Sequence, residues 1–188
     1  MHKLALALVL AICSAATRAE PETFTIDPSH TYPSFEYNHL GYSNQRHRFE
    51  KTSGRIVLDR AARTGSVDVS IDAESVKTGS ALFDRIIQGA DFFDTAKHPT
   101  ISFISSAVSF DGDKPVAVEG KLTIKGVTRP VSLTVTNFHA MPHPMMQKDA
   151  IGGNAVARIR RSDFNMGKYA PQVSDDVTLA IAVEAIKY

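Results

Sequence analysis

For most of its length the chain alternates apolar and polar residues, the period of strands with one dry face and one wet face. The cleanest run sets Val67, Val69 and Ile71 against Asp68, Ser70 and Asp72. Similar runs place Phe24 with Ile26, Phe35 with Tyr37 and His39, Ile101 with Phe103, and Val131 with Leu133 and Val135. Further along, Val116, Val118, Gly120, Leu122 and Ile124 fall in phase, as do Ala155, Ala157 and Ile159, then Val177, Leu179, Ile181 and Val183. Turn residues punctuate them at Pro28-Ser29, at Asp111-Gly112-Asp113 and from Gly126 to Pro130. Arg55–Asp59 and Ser66–Asp72 read as a hairpin, Gly41–Arg48 as a polar, basic loop, and His139–Asp149 as a looser interruption. Eight or nine short strands with so little helix predict an all-β, antiparallel sandwich or closed barrel. Period two does not distinguish closure from stacking.

One stretch breaks the alternation. In Thr78–Phe103 the residues Leu82, Phe83, Ile86 and Ile87 recur at helical spacing, predicting a short helix over Ala81–Gln88 with these four on one face. Gly89 ends it. Phe92 and Phe93 follow between Asp91 and Asp94, two rings flanked by carboxylates that prefer water. Such a segment needs an apolar chamber to face, and it reads as a plug or lid held at the rim by its carboxylates.

Residues 1–19 have the layout of a cleaved secretory signal peptide: Lys3, an apolar run from Leu4 to Ile12 that is too short to span a bilayer, and small residues before Ala19. Ile12 stands where a lipoprotein signal has a small residue, so Cys13 is not a lipid attachment site. The mature chain, 20–188, then lacks cysteine and must fold as one domain on its apolar core. Its 19 basic and 20 acidic residues leave a formal charge of −1, with no footprint for nucleic acid.

Candidate chemistry is sparse. Asp27, Ser29 and His30 are neighbours in a turn, which is ordinary turn composition rather than a catalytic triad. Asp84, Asp91 and Asp94 lack the spacing of a calcium loop and read as capping or solvated carboxylates. Arg158, Arg160 and Arg161 form the densest basic cluster, read as a solvated strand face. His139, Met141, His143, Met145 and Met146 offer imidazoles and thioethers suited to copper. A proline-stiffened loop is the favoured reading there, and no metal site is assigned.

Six ordered strings resemble the YceI family of periplasmic, lipocalin-like, polyisoprenoid-binding proteins. They are IDPSH from Ile26, FEYNHLG from Phe35, GADFFD from Gly89, HPTISF from His98, GKLTIKGVTRPV from Gly120 and RSDFNMG from Arg161. Asn165 replaces a glycine of the family pattern, and asparagine tolerates the left-handed geometry that position asks for. The resemblance implies an eight-stranded antiparallel barrel in the periplasm, enclosing an apolar tunnel for an isoprenoid chain such as that of a quinone, without enzymatic activity or a required cofactor. The tunnel lining it implies is Phe35, Tyr37, Phe49, Phe83, Ile86, Ile87, Phe92, Phe93, Ile101, Phe103, Leu133, Phe164 and Met166. Arg161 and Asp163, read from the residues alone, either pair to orient a headgroup at the barrel mouth or pin the strand end, and the second reading is favoured because arginine–carboxylate forks commonly fix loops. A homodimer and transient membrane contact are the further partners it suggests. The alternative is a barrel that serves only as scaffold, with Arg46, His47 and Arg48 binding a partner.

Overall fold

The computed structural model of the protein describes residues 20–188, so the expected signal peptide lies outside the described residues. Eleven strand segments form one antiparallel sheet that closes on itself. β1 (Glu22–Ile26) and β2 (Tyr32–His39) both pair with the last strand, β11 (Asp176–Lys187), and are two halves of one bent stave. The same holds next door, where β3 (Ser43–Phe49) pairs β2 and β4 (Thr52–Asp59) pairs β1. β5 (Thr64–Asp72) and β6 (Val76–Lys77) repeat the break, pairing β4 and β3 in turn. With β7 (Thr100–Asp111), β8 (Lys114–Ile124), β9 (Val127–Pro142), β10 (Asp149–Arg160) and β11, the three bent staves make a closed barrel of eight.

Three sequence expectations change. Gly41–Arg48 is not a loop: β3 occupies most of it, turned from β2 at Leu40–Tyr42, and its inward positions are Gln45, His47 and Phe49. The β8–β9 turn is Lys125-Gly126, both at positive φ, and Pro130 lies within β9. β9 also runs through His139 to Pro142, pairing Pro142 with Asp149 of β10. Bulges account for the shifted phase. Past the irregularity at Ser105/Ala107, β7 turns Val108 and Phe110 inward instead of the odd positions Ile101 and Phe103. Close to the next irregularity, Pro115 is buried while Val116 faces out.

The helix forms over Ala81–Gln88 as the spacing predicts, and is α1. Ser80 caps it by accepting from Phe83 N, and Gly89 N–H closes its last turn on Ile86 O. It sits at the barrel end where β6 stops and β7 begins. The segment 161–175 and the turns at Leu40–Tyr42 and Lys125-Gly126 share that end. The opposite end carries the turns at 60–63, 112–113 and 143–148. There Phe24, Ile26, Leu58, Ile151 and Ala185 form a small buried cluster, with Phe110 and Phe138 against it. A larger cluster, built on Phe49, Val76, Ile87, Phe93 and Phe164, occupies the helix end.

Candidate functional site

Between the two clusters the barrel is hollow. Leu133, Val135, Leu179, Ile181 and Val183 point inward at strand period yet are only half-buried, as side chains facing space rather than one another must be. They line a cavity of about 380 Å³ that runs from Leu58 and Ile151 near the closed end to Ile86 and Tyr169 at the helix end. Its walls are almost wholly aliphatic and aromatic. Gly120 contributes by what it lacks: a Cβ there would stand 2.4 Å from the Phe103 ring, so the glycine gives that ring its place in the wall.

Ile86 and Tyr169 mark the mouth, because they line the cavity and are 48% and 59% exposed. α1 lies across it. Phe83 and Ile87 turn inward, Leu82 is 63% exposed, and Ile86 straddles the rim, so the four apolar residues do not share one buried face. The following loop is fastened from within. The Phe93 ring meets Phe49 at 5.4 Å and Phe35 at 5.8 Å, both in edge-on geometry, and Phe93 N–H donates to Ile87 O. From outside, the exposed Asp91 carboxylate is bonded by Lys168 and Asp94 is paired with Lys97 at 3.4 Å.

Of the thirteen expected lining residues, twelve border the cavity. Phe164 does not: it is 1% exposed and packs within the cluster at the helix end. The headgroup pair does not form either. Asp163 is exposed, while Arg161 is buried and spends its guanidinium on the backbone carbonyls of Met166, Lys168, Val173 and Ser174. Arg161 thereby fixes the segment that carries Tyr169, although it also borders the cavity. Burial lowers its pKa from the ordinary arginine value.

His47 is the residue the alternation concealed. Read as loop, it is buried in β3 between Phe35 and Phe83, with Tyr37 Oη 3.1 Å from Nε2 and, among the described residues, no partner at Nδ1. Burial holds its pKa below the usual histidine range, against the opposing pull of Asp84.

These features match known proteins. A sequence model of the YceI-like domain fits residues 24–185. The chain belongs to the YceI family. Protein YceI of Escherichia coli O157:H7 is 35% identical over 159 residues, which cover 84% of this chain and 82% of that protein. The crystal structure of Burkholderia cenocepacia BcnA superposes with a TM-score of 0.71 at 28% identity, covering 85% of this chain and 99% of the other. A polyisoprenoid binding domain from Saccharophagus degradans, implicated in plant cell wall breakdown, shares the fold with a TM-score of 0.65 at 16% identity, covering 88% and 98%.

Within this YceI barrel the remaining candidate groups have structural explanations. Asp27, Ser29 and His30 do meet, but Ser29 Oγ and Asp27 Oδ2 both approach the same imidazole nitrogen, His30 Nδ1, at 3.0 and 2.8 Å. A triad needs nucleophile and carboxylate on opposite nitrogens. Asp27 and His30, with Glu184, form a cluster of potential metal ligands within 4.8 Å of one another, but the Asp27 carboxylate is already engaged by Ser29 and His30. Asp84 accepts from Thr78 N and Oγ1, both at 2.7 Å, which lowers its pKa and pins the entry to α1. Asp91 and Asp94 are the rim fastenings already described.

The basic residues divide likewise. Arg158 and Arg160 face solvent, Arg160 pairing with Asp175, while Arg161 points in. Arg46 and Arg48, exposed on β3, pair with Glu36 and Glu50. At the closed end His139 and Met141 lie on the outer face of β9. His143 Nδ1 accepts from Met145 N and Met146 N at 3.2 Å each, so this imidazole organises its own turn. Among the described residues no helix is long and apolar enough to cross a membrane.

Proposed function

We propose that the protein carries a long apolar lipid, an isoprenoid chain such as that of a quinone, inside its barrel in the periplasm, and that it catalyses no reaction. The cavity supports this reading: its volume falls within the range of small-molecule sites, and its walls offer contact area with scarcely any hydrogen-bonding group. A hydrocarbon chain asks for nothing else, gaining about 0.8 kcal/mol per buried CH₂ before the cost of ordering it. The naming of the Saccharophagus degradans domain for polyisoprenoid binding agrees with that chemistry. In this reading the tail lies toward Leu58 and Ile151, and the polar head stays at the mouth beside Ile86 and Tyr169.

Organic extraction of protein purified from the periplasm, followed by mass spectrometry, tests the proposal. One prenyl lipid per chain is the expected result, falling at least tenfold in Leu133→Trp, where the indole fills the tunnel. Recovery of no lipid from the unaltered protein, or an unchanged amount from a folded Leu133→Trp, would overturn it.

A further inference from the structure

Large apolar side chains are gathered in the open around the mouth. Tyr42 is 87% exposed at the tip of the β2–β3 turn, Leu40 beside it is half exposed, Leu82 and Ile86 face out from α1 one turn apart, and Tyr169 rises from the segment opposite. A backbone hydrogen bond and a ring contact join these pieces into one rim. Leu40 N–H donates to Gln172 O at 3.1 Å, and the Tyr169 and Phe92 rings lie 6.4 Å apart. Ile86 and Tyr169 also belong to the cavity wall, so the exposed apolar surface is continuous with the interior.

Two of the rim residues are costly choices. Leu40 and Tyr169 sit at φ 56° and 66°, in the left-handed region where glycine or asparagine is ordinary and a bulky side chain is rare. Both side chains are about half exposed at these positions, 49% for Leu40 and 59% for Tyr169. Outliers of this kind gather at functional surfaces.

We infer that the mouth rim docks on the surface of a lipid bilayer, inserting Leu40, Tyr42, Leu82, Ile86 and Tyr169 among the headgroups so that the chain passes between leaflet and cavity without crossing water. The inference rests on the lipid-carrier reading, which decides what covers the patch: such a cargo dissolves in a membrane, and the opening it must pass is the one the patch surrounds. The polar groups suit that place. Tyrosine rings favour the headgroup layer, Lys168 lies over the Tyr169 ring at 5.2 Å, and Arg85 flanks Ile86 on the exposed side of α1. The cations Lys97 and Lys168 are paired with Asp94 and Asp91, so docking is driven by apolar insertion and depends little on salt.

The cysteine-free mature chain allows a direct test. An environment-sensitive fluorophore is placed on Tyr42→Cys or Leu82→Cys at the mouth, and on Met145→Cys at the opposite end, where Met145 is equally open to solvent. Delipidated protein is mixed with phosphatidylcholine vesicles, which makes the readout independent of what the cavity holds. Blue-shifted emission at positions 42 and 82, with none at 145, is the expected result. A response at 145 equal to those at the mouth, or no response anywhere, overturns the inference; so does a mouth response that needs only higher protein concentration, since a second copy would then cover the rim. In a companion assay Tyr42→Ser with Leu82→Ser slows transfer of a preloaded chain to vesicles at least tenfold without changing the lipid extracted per protein. Unchanged transfer overturns docking while leaving the carrier reading intact, whereas an empty cavity in the extraction experiment overturns the carrier reading and, with it, the delivery role inferred for the rim.

Discussion

At the closed end Phe24, Leu58, Ile151 and Ala185 meet one another directly, each supplied by a strand and each fully buried. At the mouth the seal is made by side chains that no strand carries: Phe83 and Ile87 from α1, Phe92 and Phe93 from the loop after it, and Tyr169 from the segment held by Arg161. The first seal belongs to the sheet and opens only if the sheet does. The second is joined to the barrel by ring contacts, ion pairs and backbone hydrogen bonds from segments outside the sheet, and is expected to open before the sheet does. The two ends of one apolar surface are thus closed by different parts of the chain.

The largest test of that division compares a floor residue with a lid residue of the same type. Phe24→Ala removes a ring packed on all sides and is expected to cost about 4 kcal/mol. Phe83→Ala removes a half-exposed ring that borders existing space and is expected to cost about 1–2 kcal/mol, because less contact is lost and no new enclosed cavity is left. Urea denaturation monitored by circular dichroism measures both. Equal losses would mean that the lid is as much a part of the core as the floor.

A smaller effect is expected at Arg161. Replacement by Met keeps the stem but leaves the carbonyls of Val173, Ser174, Met166 and Lys168 without their donors, at a cost of about 2–3 kcal/mol. Lysine should not restore the loss, since one ammonium cannot match a fork directed at four carbonyls. Proteolysis within 166–175 should accelerate in Arg161→Met ahead of cleavage in the sheet. Cleavage of both at the same rate would show that the segment is not held separately.

The two ends also differ in how far the sequence disclosed them. Alternation in β5, β10 and β11 is a direct consequence of one dry face, so the all-β class and the inward residues of those strands follow from it, as do those of β8 from Val118 onward, while Val116 lies beyond the shift in the β7–β8 pairing and faces out. α1 was equally legible, because four apolar residues at spacing 82, 83, 86 and 87 fit no strand. What period two omits is where a stave bends. β1 with β2, β3 with β4, and β5 with β6 count as separate strands along the chain but as single staves in the barrel, and that depends on long-range pairing. β3 escaped for a local reason: its inward positions begin with two polar residues, Gln45, which is half-buried, and His47, which enters the interior among the rings of Phe35, Tyr37 and Phe83. Leu82 was misplaced for the opposite reason, since helical spacing reports amphipathicity and not which side of a rim is dry. The cavity itself was visible only through family resemblance, because an inward Val reads the same whether it meets a neighbour or a ligand.

His47 gives the finest test, since it is a buried proton-sensitive group directly under the lid. Burial makes the folded protein bind a proton at this imidazole less readily than the unfolded chain does, whose ordinary value is about 6.5. Its contribution is therefore fully present above about pH 6.5 and is lost as pH falls through the lower folded value. One proton limits the slope to about 1.4 kcal/mol per pH unit. His30 acts with the opposite sign: the Asp27 carboxylate raises its pKa, so its contribution is present below about pH 6.5 and lost as pH rises through the folded value. Melting temperatures from pH 7.5 to 5.0 should consequently fall less on the acid side in His47→Phe than in the unaltered protein, whereas His30→Gln should steepen the acid loss. Protonation beneath α1 leaves a charge among Phe35, Phe83 and Tyr37 with Asp84 as the nearby carboxylate, so lid residues should exchange amide hydrogen sooner than β11 in mild acid. If α1 and β11 lose protection together, the mouth and the sheet are one cooperative unit, and the separation between the two seals fails.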